Sequence, residues 1–155
     1  IWNSKFEKIM NIERNQEHPR KDYDVYSDIY EKIKFFDCDI YDELFENTEL
    51  PFNPFIDKNI IKTILVEFKD SLNLDQEESS WFDSLGAKHG FALSFKEYKK
   101  DKEHFIGHVG DVAEMVRIAL TTSKNSPNLF QSMKILGKEE VSRRIDKTLN
   151  SKVLA

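Results

Sequence analysis

Apolar residues recur at three- and four-residue steps along most of this chain, the spacing of one face of an α-helix. From Tyr23 to Phe36, the residues Tyr26, Ile29, Tyr30 and Ile33 share a face. Asp22 and Asp24 are stronger start signals there than Ser27, and the closing pair Phe35-Phe36 reads as core. Asp39 to Glu46 reads as a short acidic helix whose Asp39, Asp42 and Glu43 suit the positive end of a helix dipole. Pro51 and Pro54, two prolines in four residues, break regular structure and mark a hinge between two lobes. Asp57 then caps a helix with Ile60, Ile61, Ile64, Leu65, Phe68 and Leu72 as its stripe.

A helix over Glu77–His89 follows, with Trp81, Phe82 and Leu85 inward and Gly90 as its stop. The stretch Phe91–His104 is mixed, and its Lys96, Lys99, Lys100 and Lys102 form the densest basic patch of the chain. Gly110–Thr121 reads as a helix burying Val112, Ala113, Val116, Ala119 and Leu120, and a polar loop over Thr121–Asn125 comes next. Ser126 as N-cap and Pro127 at the first helical position start a helix that runs to Leu136, where Gly137 ends it. A last helix spans Lys138–Leu149, with Val141, Ile145 and Leu149 on one face. The pattern predicts an all-α chain of two small helical subdomains, residues 1–55 and 56–155.

Composition supports helices over sandwiches or barrels. With 155 residues the chain can bury a real core, and five Gly and four Pro are few for an architecture that turns every 8–12 residues or so. The net charge of −5 is unevenly spread. Residues 1–85 hold 10 Lys and Arg against 20 Asp and Glu, a net of −10; residues 86–155 hold 13 against 8, a net of +5. A polyanion answers to a local basic face and not to the average, so the C-terminal half is the candidate nucleic-acid surface. Cys38 is the single cysteine, which excludes an intrachain disulfide, suits a reducing cytoplasm and fits a structural or incidental thiol. No signal peptide and no apolar run near 18 residues is visible, so no membrane association is expected; the first residue, Ile1, hints at a trimmed chain.

Chemistry-bearing motifs are missing. No phosphate-cradling G-x-x-x-x-G-K-[ST], no G-x-G-x-x-G and no H-E-x-x-H occurs. His104 and His108 sit four apart, but no Cys pair accompanies them and Gly107 weakens a helix between them, so no metal site is expected. Glu139-Glu140 reads as solvated surface. No catalytic residue and no cofactor is expected in this chain.

Three ordered blocks carry a resemblance. The run Gly107-His108-Val109-Gly110-Asp111-Val112-Ala113-Glu114-Met115-Val116-Arg117-Ile118-Ala119-Leu120-Thr121 resembles "VGDVAxxLRVALTG" of glutamate–tRNA ligases. Asn125-Ser126-Pro127-Asn128-Leu129-Phe130 resembles their "SPxLFE" segment, and Ile135-Leu136-Gly137-Lys138-Glu139-Glu140-Val141-Ser142-Arg143-Arg144-Ile145 resembles "LLGKERVLRRI". Trp81–Tyr98 is similar to one branch of that family, whereas residues 1–80 match only in helical layout and in Phe35-Phe36.

The resemblance implies a two-subdomain helical cage that grips the anticodon stem-loop of tRNA-Glu, with tRNA-Gln as a second candidate, in a monomeric cytoplasmic enzyme. It implies a separate catalytic domain using ATP with Mg to load glutamate; that domain's "HIGH"-like and "KMSKS"-like motifs do not occur here, so this chain alone should be inactive. The family's anticodon-reading residues map onto Ser126, which would meet a base edge, Pro127, which would shape the loop, and Leu129, which would pack on a base. An arginine that inspects the last anticodon base maps best to Arg20, with Arg14 and Lys21 as alternatives. Where the family has Gly after Ala-Leu-Thr this chain has Thr122, and where an Arg often follows it has Ser123; Lys124 can supply that charge.

Class I lysine–tRNA ligases share a related cage and are the nearest rival. Two alternatives of other classes stand beside it. One is a helical protein-interaction module presenting the acidic half with Trp2, Phe6 and Tyr41. The other is a helix-turn-helix over Ser126–Leu149 that reads DNA bases with Arg143, Arg144 and Lys147.

Overall fold

The apolar stripes close on one another in the computed structural model, which describes residues 2–12, 26–75 and 82–155, with side chains from 5–12, 29–75 and 82–155. Its elements run α1 (Trp2–Met10), α2 (Tyr26–Ile33), a 3₁₀ turn (Lys34–Phe36), α3 (Cys38–Asn47), α4 (Lys58–Asp70) and α5 (Asp83–Lys88). Then follow β1 (Phe91–Ala92), α6 (Phe95–Lys100), β2 (Gly107–His108), α7 (Val109–Thr121), α8 (Leu129–Leu136) and α9 (Lys138–Leu149). The expected all-α class holds, and among the described residues no helix is long and apolar enough to cross a membrane.

The main core forms where α4, α7, α8 and α9 meet. Ile61, Ile64, Leu65 and Phe68 of α4 pack with Val112, Val116 and Leu120 of α7, Met133 of α8, and Val141 and Ile145 of α9. Each such fully buried aliphatic side chain contributes roughly 1.5–3 kcal/mol. A smaller cluster joins Ile9 of α1 to Phe35 and Phe36, with Ile135 and Leu136 of α8 against it. The Pro51–Phe55 stretch lacks regular structure and is anchored by buried Leu50 and Ile56 at its two ends, while Phe55 is 93 % exposed. Asp57 caps α4 as expected, its carboxylate accepting from Asn59 N, and Asp37 caps α3 by accepting from Asp39 N and Ile40 N.

Several expectations are corrected. The helix read to Phe36 ends at Ile33 and tightens into the 3₁₀ turn, and Tyr30 faces solvent at 55 % exposure; residues 23–25 and the side chains of 26–28 lie outside the described residues. Of the helix read over 77–89, Asp83–Lys88 is helical, and residues 77–81 lie outside the described residues. Phe91–Ala92 pairs in parallel with Gly107–His108, a two-residue ladder too short to leave a periodicity in sequence. The second strand is closed in tightly: a side chain at Gly107 would collide with the Asp111 carboxylate, which accepts from His108 N. Helix α8 begins three residues after Ser126. Its cap is Asn128, whose side chain accepts from Gln131 N, because the Ser126 hydroxyl is engaged elsewhere. Cys38 opens α3 and is exposed, which favours the incidental over the structural reading of its thiol. Tyr41, assigned to an exposed aromatic surface by one alternative, is fully buried; Phe6 is 45 % exposed, and the Trp2 side chain lies outside the described residues.

Among the described residues the largest fully buried side chain is a cation, Arg144. A buried charge costs several kcal/mol unless it is paired and hydrogen-bonded. Arg144 Nε donates to Glu140 Oε1 at 2.6 Å, and Nη1 donates to two backbone carbonyls, Phe35 O and Leu120 O, both at 2.8 Å. Nη2 has no hydrogen-bond partner among the described residues; the guanidinium lies 3.9 Å from the centre of the Tyr41 ring, a cation–π contact that takes the remaining face. Tyr41 Oη in turn donates to Ala119 O at 2.6 Å. Burial pushes the Tyr41 hydroxyl well above its usual range, so it stays a donor. Burial alone would raise Glu140, but hydrogen bonds from Arg143 and Arg144 outweigh it and hold the carboxyl at about 2. Around this knot Arg143 and Lys147 pair with Asp42 of α3 at 3.0 and 2.8 Å.

The carbonyls of Ala119 and Leu120 belong to the last turn of α7, where no intrahelical donor is left for them. The helix closes at Thr122, which adopts φ 61°, the left-handed region that costs a residue with a β-carbon about 1–2 kcal/mol. Thr121 steadies the exit: its hydroxyl lies 2.9 Å from Arg117 O and 3.3 Å from Ser123 N.

Arg144→Met should lower the unfolding free energy by about 3–5 kcal/mol, since it strands two buried carbonyls, while Tyr41→Phe, losing one hydrogen bond, should cost about 1–2 kcal/mol. Urea unfolding measures both, and equal effects would contradict the ranking. In the same assay Thr122→Gly should stabilise by about 0.5–1 kcal/mol through relief of the left-handed backbone; a destabilised variant would show that the buried Thr122 side chain outweighs the strain.

Candidate nucleic-acid interface

The turn from Thr122 to Asn128 joins the end of α7 to the start of α8. Its fixed side is built by Arg117, one helical turn before the end of α7. Arg117 Nη1 donates to Ser126 Oγ at 2.8 Å, to Ser126 O at 3.1 Å and, more weakly, to Pro127 O at 3.5 Å. The Ser126 hydroxyl donates onward to Pro127 O at 2.9 Å. One guanidinium therefore sets the path of the turn through both the side chain and the backbone of Ser126. The open side carries Lys124 and Asn125, both exposed, and Lys124 Nζ lies 3.2 Å from Glu114 of α7. Beyond Asn128 the eight-residue α8 presents the positive end of its dipole.

Of the residues singled out from sequence, Lys124 and Ser126 come together on this turn, with Ser126 half-buried. Pro127 is on the turn but buried. Leu129, expected to lay its side chain on a base, is 5 % exposed and belongs to the main core, so its side chain is corrected to a packing residue. Arg20, with its alternatives Arg14 and Lys21, lies outside the described residues. Arg117 was not singled out. The available signal was its being the one basic residue of α7, nine positions before Ser126.

The lysine-rich stretch is a separate patch. Lys96, Lys99, Lys100 and Lys102 are exposed on α6 and the turn after it, with Lys99 4.5 Å from the centre of the half-exposed Phe95 ring. His104 and His108 do not share a helix face: His104 pairs with Asp101 in the turn after α6, and His108 ends β2. The DNA-reading alternative loses its side chains, because Arg144 is buried and Arg143 and Lys147 are tied to Asp42. Glu140, read as solvated surface, is the carboxylate that anchors Arg144 and Arg143.

The chain is 34 % identical over 146 residues to a glutamate–tRNA ligase of Acetivibrio thermocellus, covering 92 % of this chain and 26 % of that protein. It is 36 % identical over 149 residues to a glutamate–tRNA ligase of Clostridium beijerinckii, with the same two coverages. The chain thus spans about a quarter of the length of the curated relatives it matches. No solved structure matches it. The family model described as an anticodon binding domain matches residues 5–149, from within α1 to the end of α9. This chain belongs to the anticodon binding domain family.

Proposed function

We propose that this chain is the anticodon-reading portion of a glutamate–tRNA ligase and that the Thr122–Asn128 turn meets the unpaired anticodon bases of tRNA-Glu. The observation that carries the reading is the turn itself, half open to solvent and held by Arg117 through Ser126. Bases splayed from a single-stranded loop are read by polar groups and guanidinium planes at close range. A rigid turn that offers Ser126, Asn125 and Lys124 next to the Arg117 guanidinium and a helix N-terminus supplies such groups. Pro127 and Leu129 support this from below, by fixing the turn to the core. Arg20 is kept as the candidate for the last anticodon base.

In this reading the ligase works as a cytoplasmic monomer. Its ATP and Mg²⁺ belong to the portion of the enzyme that this chain does not span, and glutamate is loaded onto tRNA there. The present chain supplies recognition alone.

The expected behaviour is specific. The 155-residue chain should bind an anticodon stem-loop of tRNA-Glu with affinity that falls steeply with salt, because phosphate contacts dominate such binding. Replacing the anticodon bases should weaken binding, and Arg117→Gln should remove most of that preference while leaving the fold intact by circular dichroism. Binding that ignores the anticodon in the unaltered chain would show that this turn does not read it.

A further inference from the structure

Helices α1 and α8 touch without closing on each other, and a groove of about 510 Å³ runs between them. Ile12 and Ile135, both part of the smaller hydrophobic cluster, line it. Lys5, Lys8 and Asn11 come from the α1 side, and Gln131 and Lys134 from α8. On α1 the spacing of three residues from Lys5 to Lys8, and from Lys8 to Asn11, keeps these donors on one face. Among the described residues Glu7 is the only acid in the lining, so there three ammonium groups face one carboxylate, a local +2 from those residues within a chain of net −5.

The lysines here differ from the three cations in the later turns of α9. Lys147, Arg143 and Arg144 are spent on Asp42 and Glu140. Lys5, Lys8 and Lys134 are exposed and have no ion-pair partner among the described residues; Lys134 rests 4.3 Å from the centre of the Phe130 ring, which holds its stem against α8. Unpaired ammonium groups gathered in a concave, donor-rich lining suit a chain of phosphates.

The groove also has a position that matters. It is built on α8, the helix that leaves the Thr122–Asn128 turn, and Lys134 lies about 7.5 Å along the axis from Leu129 at 1.5 Å per residue. A strand whose bases meet the turn has its backbone within reach of this groove. We infer that the α1–α8 groove holds the ribose–phosphate strand of the bound RNA through Lys5, Lys8 and Lys134, as a sequence-independent clamp beside the reading turn. This rests on the turn being the reading site, and it adds a division of labour: the turn chooses the base and the groove grips the phosphates.

The test uses the 155-residue chain, fluorescence anisotropy and two labelled stem-loop RNAs, one with the tRNA-Glu anticodon and one with those bases replaced. The triple variant Lys5→Gln, Lys8→Gln, Lys134→Gln should bind both RNAs about tenfold more weakly at moderate salt. The slope of log K against log[salt] should shrink by about 2, near 0.7 for each of three phosphate contacts. The ratio of the two affinities should stay as in the unaltered chain. The corresponding Lys→Arg triple, which keeps the charges, should keep affinity and slope. Unchanged affinity and slope in the Gln triple, with the unaltered chain still preferring the native anticodon, would overturn the groove and leave the turn standing. Loss of preference instead of affinity would also overturn it, since the lysines would then be reading bases. An unaltered chain without anticodon preference whose affinity still collapses in the Gln triple would sink the reading turn and leave the groove.

Discussion

A single buried guanidinium organises this molecule. Arg144 reaches from α9 to the carbonyl of Phe35 in the 3₁₀ turn and to the carbonyl of Leu120 at the end of α7, and it stacks on Tyr41 of α3. It lies 109 residues from Phe35 in sequence. Helix C-termini leave carbonyls that need donors and carry a partial negative charge, and a cation placed there answers both demands. Because Tyr41 takes the neighbouring Ala119 carbonyl, the last turn of α7 is clamped from two elements at once. The candidate reading turn begins at the next residues, so its position is inherited from this contact.

The charge asymmetry of the chain acquires a second meaning from the same region. The acidic first part and the basic last part are partly partners of each other: Asp42 takes both Arg143 and Lys147, and Glu46 lies 3.9 Å from Lys147. These exposed and half-exposed pairs are individually weak, worth about 1 kcal/mol or less, but they set the register of α3 on α9 beside the buried pair. A count of basic residues along the sequence therefore overstates the surface available to RNA. Among the described residues, lysines without an ion pair include Lys5, Lys8 and Lys134 of the α1–α8 groove and Lys96, Lys99 and Lys100 of α6.

Much of the helical layout was legible in sequence because it rests on local signals. The Ile61, Ile64, Leu65 and Phe68 stripe with Asp57 before it, and the stop at Gly137 with φ 82°, need no tertiary information. What escaped depends on contacts distant in sequence. Nothing local marks Arg144 as buried and Arg143 beside it as exposed; the helical period puts Arg144 on the face of Val141 and Thr148, and only the carbonyls supplied by other elements make that face tolerable. Tyr41 looked like surface on an acidic helix for the same reason. In the candidate site, the turn itself was legible, whereas its mechanics were not. Ser126 proved to be held by Arg117 and the cap role fell to Asn128, because Asn128 side chain and Gln131 amide meet only once the turn has its shape. Thr122 takes the left-handed conformation although it carries a β-carbon, which no local signal at that position announces.

The central claim is that Arg144 couples α3, the Phe35 turn and the end of α7 into one unit that carries the reading turn. Native-state hydrogen exchange on Arg144→Lys measures this most directly, since lysine keeps the charge but cannot reach Glu140 and both carbonyls together. The account predicts that amides of Phe36–Tyr41 and of Leu120–Asn128 lose protection in concert, by a similar free energy, while those in the middle of α4 keep theirs. Loss confined to α9, with the turn after α7 as protected as before, would contradict it.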